Sequence, residues 1–353
     1  MPAGTPVGHI CLWYRRRVRE AMESVKTEEK AVDGIEHMIY SAAMTRPEYR
    51  EIPCKSALNR VSGMPFRWSL NPYRGCLHGC HYCYARATHP YLGLNADEDF
   101  ATKIVVKSNM PEVLRHELRK QSWTRERVAI GTATDAYQPC EGWYRLTRQC
   151  LEALRDADTP VSIVTKSTLI LRDLDLLSEL AKGPGATVYF TITTVDDDTW
   201  RLIEPGTPPP LKRLQVLQRL SEAGVTSGVF LAPILPGITD TVASLDAVAA
   251  AAQAHGATAF GSSVLRLAPM VKEHYLSFVA ETFPDLLPRY ERAYTGTNIS
   301  SDYQRVMERR IAMIRARHDF IQDAMQERRV ESAPSVRSVG PVIPQPGQLA
   351  LPL

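Results

Sequence analysis

Three cysteines lie on the run Asn71-Pro72-Tyr73-Arg74-Gly75-Cys76-Leu77-His78-Gly79-Cys80-His81-Tyr82-Cys83-Tyr84 with the spacing CxxxCxxC. Soft thiolates are the ligands that iron–sulfur clusters and zinc select, and three on one loop can reach three irons of a cubane while the fourth iron has no protein ligand. A ferredoxin-type carrier closes its cluster with a fourth cysteine, and a structural zinc site is filled by four protein ligands. A group of three therefore asks for a ligand from outside the chain, and the open iron is a place for chemistry. A second arrangement stays open, in which the three cysteines and His78 or His81 hold a structural zinc. Gly75 and Gly79 mark the run as a loop, not as a core segment.

With an aromatic residue, Tyr82, directly before Cys83, the pattern resembles the radical S-adenosylmethionine (SAM) superfamily. The resemblance implies a [4Fe-4S] cluster on Cys76, Cys80 and Cys83, with Tyr82 beside the cofactor and SAM chelating the open iron. It also implies reductive cleavage of SAM to methionine and a 5′-deoxyadenosyl radical that takes a substrate hydrogen, with a flavodoxin- or ferredoxin-type reductant as partner. Further runs, Gly131-Thr132-Ala133-Thr134-Asp135-Ala136-Tyr137-Gln138-Pro139 and Thr165-Lys166-Ser167, look like the spore photoproduct lyase branch, and the likeness covers about residues 54–294. By that resemblance Thr134, Asp135 and Lys166 contact SAM, Thr191, Thr193, Arg201 and Glu204 suit its ribose and adenine edge, and Ile234 packs on the adenine ring. Plainer roles exist for the same residues: a threonine capping a loop, a solvent-facing lysine, Asp196 to Asp198 as a helix N-cap and Pro205-Gly206 as a turn.

In the lyase branch a cysteine in the loop after the second strand donates hydrogen, and the matching position here is Thr132. A hydroxyl O–H bond is too strong to replace a thiol, which speaks against thymine-dimer repair. Cys140, further along that loop, could supply a thiol if the loop folds back, and Tyr84 matches a tyrosine that relays the radical; both are candidate catalytic residues. Cys150 reads as a helix core residue, while Cys54 and Cys11 have no obvious partner.

Short β-branched or aromatic runs at 66–70, 128–132, 161–165, 187–193, 228–232 and 258–265 read as strands alternating with amphipathic helices, the pattern of βα units on a parallel sheet. Six such units fall short of the eight that close a barrel, so a partial (β/α)6 barrel is expected, with the cysteine loop following the first strand. Leu211, Leu214, Leu217 and Leu220, and Leu174, Leu177 and Leu180, are expected in the core. The expected organisation is an accessory segment over 1–53, the barrel over 54–268, a helical extension over 269–330 and a proline-containing flexible tail over 331–353.

The chain has 353 residues, 44% hydrophobic and 23% charged, which fits an ordinary soluble globular protein. Seven cysteines, an odd number, argue against a disulfide framework and for the cytoplasm. The apolar run from Ile10 to Tyr14 precedes Arg15-Arg16-Arg17, the wrong order for a signal peptide, and no stretch reaches membrane-spanning length. A net charge of +3 neither requires nor excludes nucleic acid, although arginines gather at Arg305, Arg309, Arg310, Arg315 and Arg317. The competing class is a zinc-binding, nucleic-acid-associated module without catalysis, its arginines meeting phosphate.

Overall fold

The structure is a computed structural model describing residues 47–320. Cys11, most of the expected accessory segment and the expected tail lie outside the described residues. Strands β1 (Glu48–Ile52), β2 (Asn59–Arg60), β3 (Trp68–Leu70), β4 (Tyr73–Arg74) and β5 (Lys103–Lys107) come first, followed by β6 (Val128–Ile130), β7 (Val161–Thr165), β8 (Ala186–Thr191), β9 (Thr226–Ile234) and β10 (Ala259–Val264).

The main sheet runs β10-β9-β8-β7-β6-β3-β2, with β3 and β6 to β10 parallel and β2 antiparallel at the edge. These six parallel strands are the six that the sequence pattern predicts. All six positions of β8 are buried, as expected of a strand covered on both faces. Because each parallel strand pairs with the next in sequence, right-handed crossovers place every connecting helix on one side and the sheet curls into an open partial barrel. The curl is visible in the packing: Leu235 and Leu265, after the last two strands, share an apolar cluster with Cys80 and Tyr82, which follow the first.

The connecting helices include α1 (Glu98–Thr102), α2 (Met110–Leu118), α3 (Glu141–Tyr144), α4 (Leu146–Asp156), α5 (Leu174–Lys182), α6 (Asp197–Ile203), α7 (Pro210–Glu222) and α8 (Val242–Ala254). Helix α4 buries Leu146, Cys150, Leu151 and Leu154 on one stripe, and Leu177 and Leu180 of α5 join the same core. In α7, Leu214, Leu217 and Leu220 are buried but Leu211 is 55% exposed. A step of three falls 60° short of a full turn on a helix with about 3.6 residues per turn, so four leucines so spaced cannot all face one core.

The helical extension contains α9 (Pro269–Thr282), α10 (Leu287–Ala293) and α11 (Ser301–Arg317), the last packing Met307, Ile311 and Ile314 onto the barrel core. Unpredicted from sequence is a second sheet, β1-β5-β4, which takes residues 48–52 out of the expected accessory segment by pairing them parallel with β5. Among the described residues no helix is long and apolar enough to cross a membrane.

Candidate functional site

The cysteine run leaves β3 through β4 and is held on every side by the rest of the chain. Positive φ at Gly75 and Gly79 turns the backbone, and the N–H of Gly79 donates to Cys76 O at 3.2 Å and that of Cys83 to Cys80 O at 3.3 Å. Buried Arg86 donates to Gly79 O at 2.8 Å, Cys80 O at 3.1 Å, Ala96 O at 3.0 Å and Asp97 O at 2.7 Å, with its guanidinium over the Phe100 ring. From the loop after β6, Thr134 Oγ1 donates to Gly75 O at 2.6 Å, and the amide of Gln138 spans Gly75 O and Leu77 N. Gly206 N, in the segment after α6, donates to His78 O at 3.1 Å, and His81 N donates to the O of Ile203, the last residue of α6, at 3.2 Å. A side chain at Gly206 would stand 2.5 Å from Leu77 O, so only glycine permits this approach.

Two buried carboxylates organise the surroundings. Glu204 accepts from the Tyr82 hydroxyl, from Thr193 Oγ1 at 2.8 Å, from Arg213 at 2.5 Å and from Thr207 Oγ1 at 3.3 Å. Burial alone would raise its carboxyl, but Arg213 and Lys166 outweigh that and hold it at about 2. Arg213, equally buried, also donates to Pro208 O at 2.7 Å and Thr191 O at 2.9 Å. Asp135 accepts from Thr165 Oγ1 at 2.8 Å, Lys166 N at 2.7 Å and Tyr137 N at 2.9 Å, and lies 3.3 Å from His78 Nδ1. Burial again opposes its charge, and His78 with the N–H donors brings it down to about 2. The Lys166 ammonium stands 5.5 Å over the Tyr82 ring.

The sequence-predicted residues thus divide. Cys76, Cys80, Cys83, Tyr82, Thr134, Asp135, Lys166, Thr191, Thr193 and Glu204 gather around one loop, although Thr134 and Glu204 spend their hydrogen bonds on the chain itself. Tyr84, 62% exposed, donates its hydroxyl to Thr132 O. Arg201 lies apart: it is exposed, ion-paired with Asp197 and Asp198 and stacked on Trp200, as a helix-surface arginine would be. Cys140 has no exposed surface and sits in an apolar cluster with Tyr73, Leu77, Ile104, Val106 and Leu146, where burial pushes its thiol far up, so the loop does not fold back to present it. Ile234 ends β9 and walls a cleft of about 380 Å³ with Val264, Met307 and Ile311. Sequence patterning missed Arg86, Gln138, Thr207 and Arg213: Gln138 bonds to backbone some sixty residues away, while Arg86, Thr207 and Arg213 are buried polar side chains with partners mostly within about ten residues that no recognised motif announces.

The donor set suits an iron–sulfur cluster. Cys76 and Cys80 are buried and Cys83 half-buried, all three thiols free, and Arg86 and Lys166 offer positive charge beside them. Burial pushes Cys76 well up and Cys80 to about 12 against the pull of Lys166, so a metal would have to displace their protons. Among the described residues no three His, Cys, Asp or Glu side chains gather around one ion position. His78 Nδ1 lies 3.3 Å from Asp135, and the His81 ring stacks on Phe278 at 4.0 Å with its buried Nδ1 unpaired.

The family model of the radical SAM superfamily matches residues 70–246. An uncharacterized protein of Mycobacterium tuberculosis is 38% identical over 323 residues, covering 88% of this chain and 94% of that protein. Spore photoproduct lyase of Bacillus subtilis is 31% identical over 169 residues, 45% of this chain and 43% of the lyase. Among solved structures, spore photoproduct lyase complexed with dinucleoside spore photoproduct superposes with a TM-score of 0.56 at 16% identity, over 76% of this chain and 79% of that one, a likeness of fold.

Proposed function

The chain belongs to the radical SAM superfamily, and from that premise we propose that Cys76, Cys80 and Cys83 hold a [4Fe-4S] cluster whose open iron takes SAM. When bound, such a cluster supplies one electron to the sulfonium of SAM, breaking a carbon–sulfur bond to give methionine and a 5′-deoxyadenosyl radical that takes a substrate hydrogen. The observation that carries the reading is three free thiols at CxxxCxxC spacing on one loop whose own backbone is already satisfied by Arg86, Thr134 and Gln138.

The surrounding residues then have defined tasks. Lys166 offers its ammonium to the carboxylate of SAM, and Tyr82, fixed through Glu204, gives that cofactor a rigid wall. Thr191 and Thr193 border the same space at the end of β8, while the cleft at Ile234 is of mixed lining, with Ser262, Arg266 and Glu308 beside Val264 and Ile311. A flavodoxin- or ferredoxin-type protein is the proposed reductant. Nucleic acid is the substrate class suggested by the relation to spore photoproduct lyase. Against dimer repair itself stand Thr132 at the hydrogen-donor position and the enclosure of Cys140.

Anaerobic reconstitution tests the reading directly: about four irons and four sulfides per chain are expected. Dithionite and SAM should then yield 5′-deoxyadenosine, and Cys80→Ala should lose both cluster and product. A single tightly held zinc, or a loaded cluster that never cleaves SAM, would overturn the proposal.

A further inference from the structure

Gln138 lies in the loop between β6 and α3 with no exposed surface. Its Oε1 accepts the N–H of Leu77 at 3.1 Å, and its Nε2 donates to Gly75 O at 3.1 Å and to Thr134 Oγ1 at 2.9 Å. The amide therefore meets the backbone on both sides of Cys76, in the manner of an adjoining peptide.

The two peptide planes flanking a residue fix its φ and ψ. At Cys76 both planes are pinned at both ends. In the first, Gly75 O takes Gln138 and Thr134 while Cys76 N donates to Phe100 O at 2.9 Å. In the second, Leu77 N donates to Gln138 while Cys76 O accepts Gly79 N. Among the described residues Gln138 is the one side chain that grips both planes. Hydrogen bonds and charges around the sulfurs set the potential of an iron–sulfur cluster, and the partners of metal ligands fix the ligands' direction.

We propose that Gln138 is a positioning residue for the cluster corner carried by Cys76: it sets the direction of that cysteine and keeps the Leu77 N–H turned away from the cluster's sulfurs. The inference rests on the reading that the three cysteines hold a cluster. Gln138→Met, similar in length but apolar, releases the Leu77 N–H inside a buried loop, free to turn toward sulfur and raise the potential. Gln138→Glu still accepts from Leu77 but sets a negative charge beside the cluster and opposes Gly75 O, which lowers the potential.

The experiment uses the full chain reconstituted with iron and sulfide without oxygen, as wild type, Gln138→Met, Gln138→Glu and the surface control Gly142→Ala. Iron and sulfide content, the electron paramagnetic resonance spectrum of the reduced cluster and its midpoint potential are recorded on each. Iron affinity falls about tenfold in Gln138→Met, the two Gln138 variants shift the potential in opposite directions, and the control matches wild type. Spectra and potentials identical to wild type at equal iron occupancy would reduce Gln138 to a packing residue and overturn the proposal, leaving the cluster reading intact. A wild-type chain that takes up no iron overturns both. Should circular dichroism show Gln138→Met misfolded, Gln138→Asn, whose shorter amide reaches only one of the two peptides, is read the same way: an altered spectrum supports the proposal and an unaltered one sinks it.

Discussion

Tyr82 and Glu204, 122 residues apart, meet in one buried hydrogen bond, the phenol donating to Oε1 of the carboxylate. The bond ties the cysteine loop to the segment after β8, and Arg213 balances the carboxylate's charge from 2.5 Å. Tyr82→Phe removes one hydrogen bond to a charged acceptor and should lower stability by about 2 kcal/mol. Glu204→Ala leaves the Arg213 guanidinium buried without a counter-charge and should lower it by about 3–5 kcal/mol. Urea denaturation of the cluster-free chain distinguishes the two, and equal midpoints for Glu204→Ala and wild type would refute the role of the pair.

Gly206 makes a second, sharper prediction. A methyl group there would stand 2.5 Å from Leu77 O and 2.9 Å from His78 O, both backbone atoms with no flexible end to give way. Gly206→Ala must therefore push the cysteine loop or its own segment aside, and iron uptake should fall about tenfold or more while the far-ultraviolet spectrum persists. Gly142→Ala, which meets nothing within 4 Å, is the matched control and should load normally.

What could be read from sequence follows from range. The six parallel strands were legible because apolar β-branched runs such as Val161–Thr165 carry their signal locally. CxxxCxxC was legible because a cluster ligand set fits within eight residues. The strand Lys103–Lys107 escaped, since a short Ile-Val-Val run between lysines becomes a strand only by pairing with Glu48–Ile52 and Tyr73–Arg74. Gln138 escaped for the same reason: its buried amide gains its meaning from Gly75 and Leu77, some sixty residues away in sequence. Arg201 misled because it lies on the exposed face of α6, ion-paired with Asp197 and Asp198, whereas Glu204 follows the end of that helix with non-helical backbone and is buried.

Lys107 predicts a pH dependence. Buried, and donating to Asn71 O at 2.9 Å, its ammonium is brought down to about 8 from the ordinary 10.5 by burial first and by Arg74 second. Between those two values the unfolded chain keeps a proton that the folded chain has lost, so stability rises with pH across the interval; below pH 8 the full penalty of the buried charge is present. Wild type should gain roughly 3 kcal/mol relative to Lys107→Met on going from neutral pH to above 10. The difference between two denaturation series isolates this group from every other titration, and parallel curves would sink the assignment.

The arginines of α11 separate a structural role from a recognition role. Arg310 donates to Asp240 O at 3.0 Å and Arg315 to Phe260 O at 2.7 Å, so both fasten the helix to the barrel, while Arg305 and Arg317 are ion-paired with Asp302 and Asp246. Arg309 is exposed. Arg310→Ala should therefore cost about 2 kcal/mol of stability, and Arg309→Ala less than about 0.5 kcal/mol. If nucleic acid is the substrate and α11 faces it, Arg309→Ala should lower the salt dependence of duplex binding by about 0.9 in the log–log slope, the share of one phosphate contact. Arg310→Ala should leave that slope unchanged in samples shown to be folded. Fluorescence anisotropy with labelled duplex at rising salt checks both, and binding indifferent to salt and to Arg309 would remove this helix from any nucleic-acid interface.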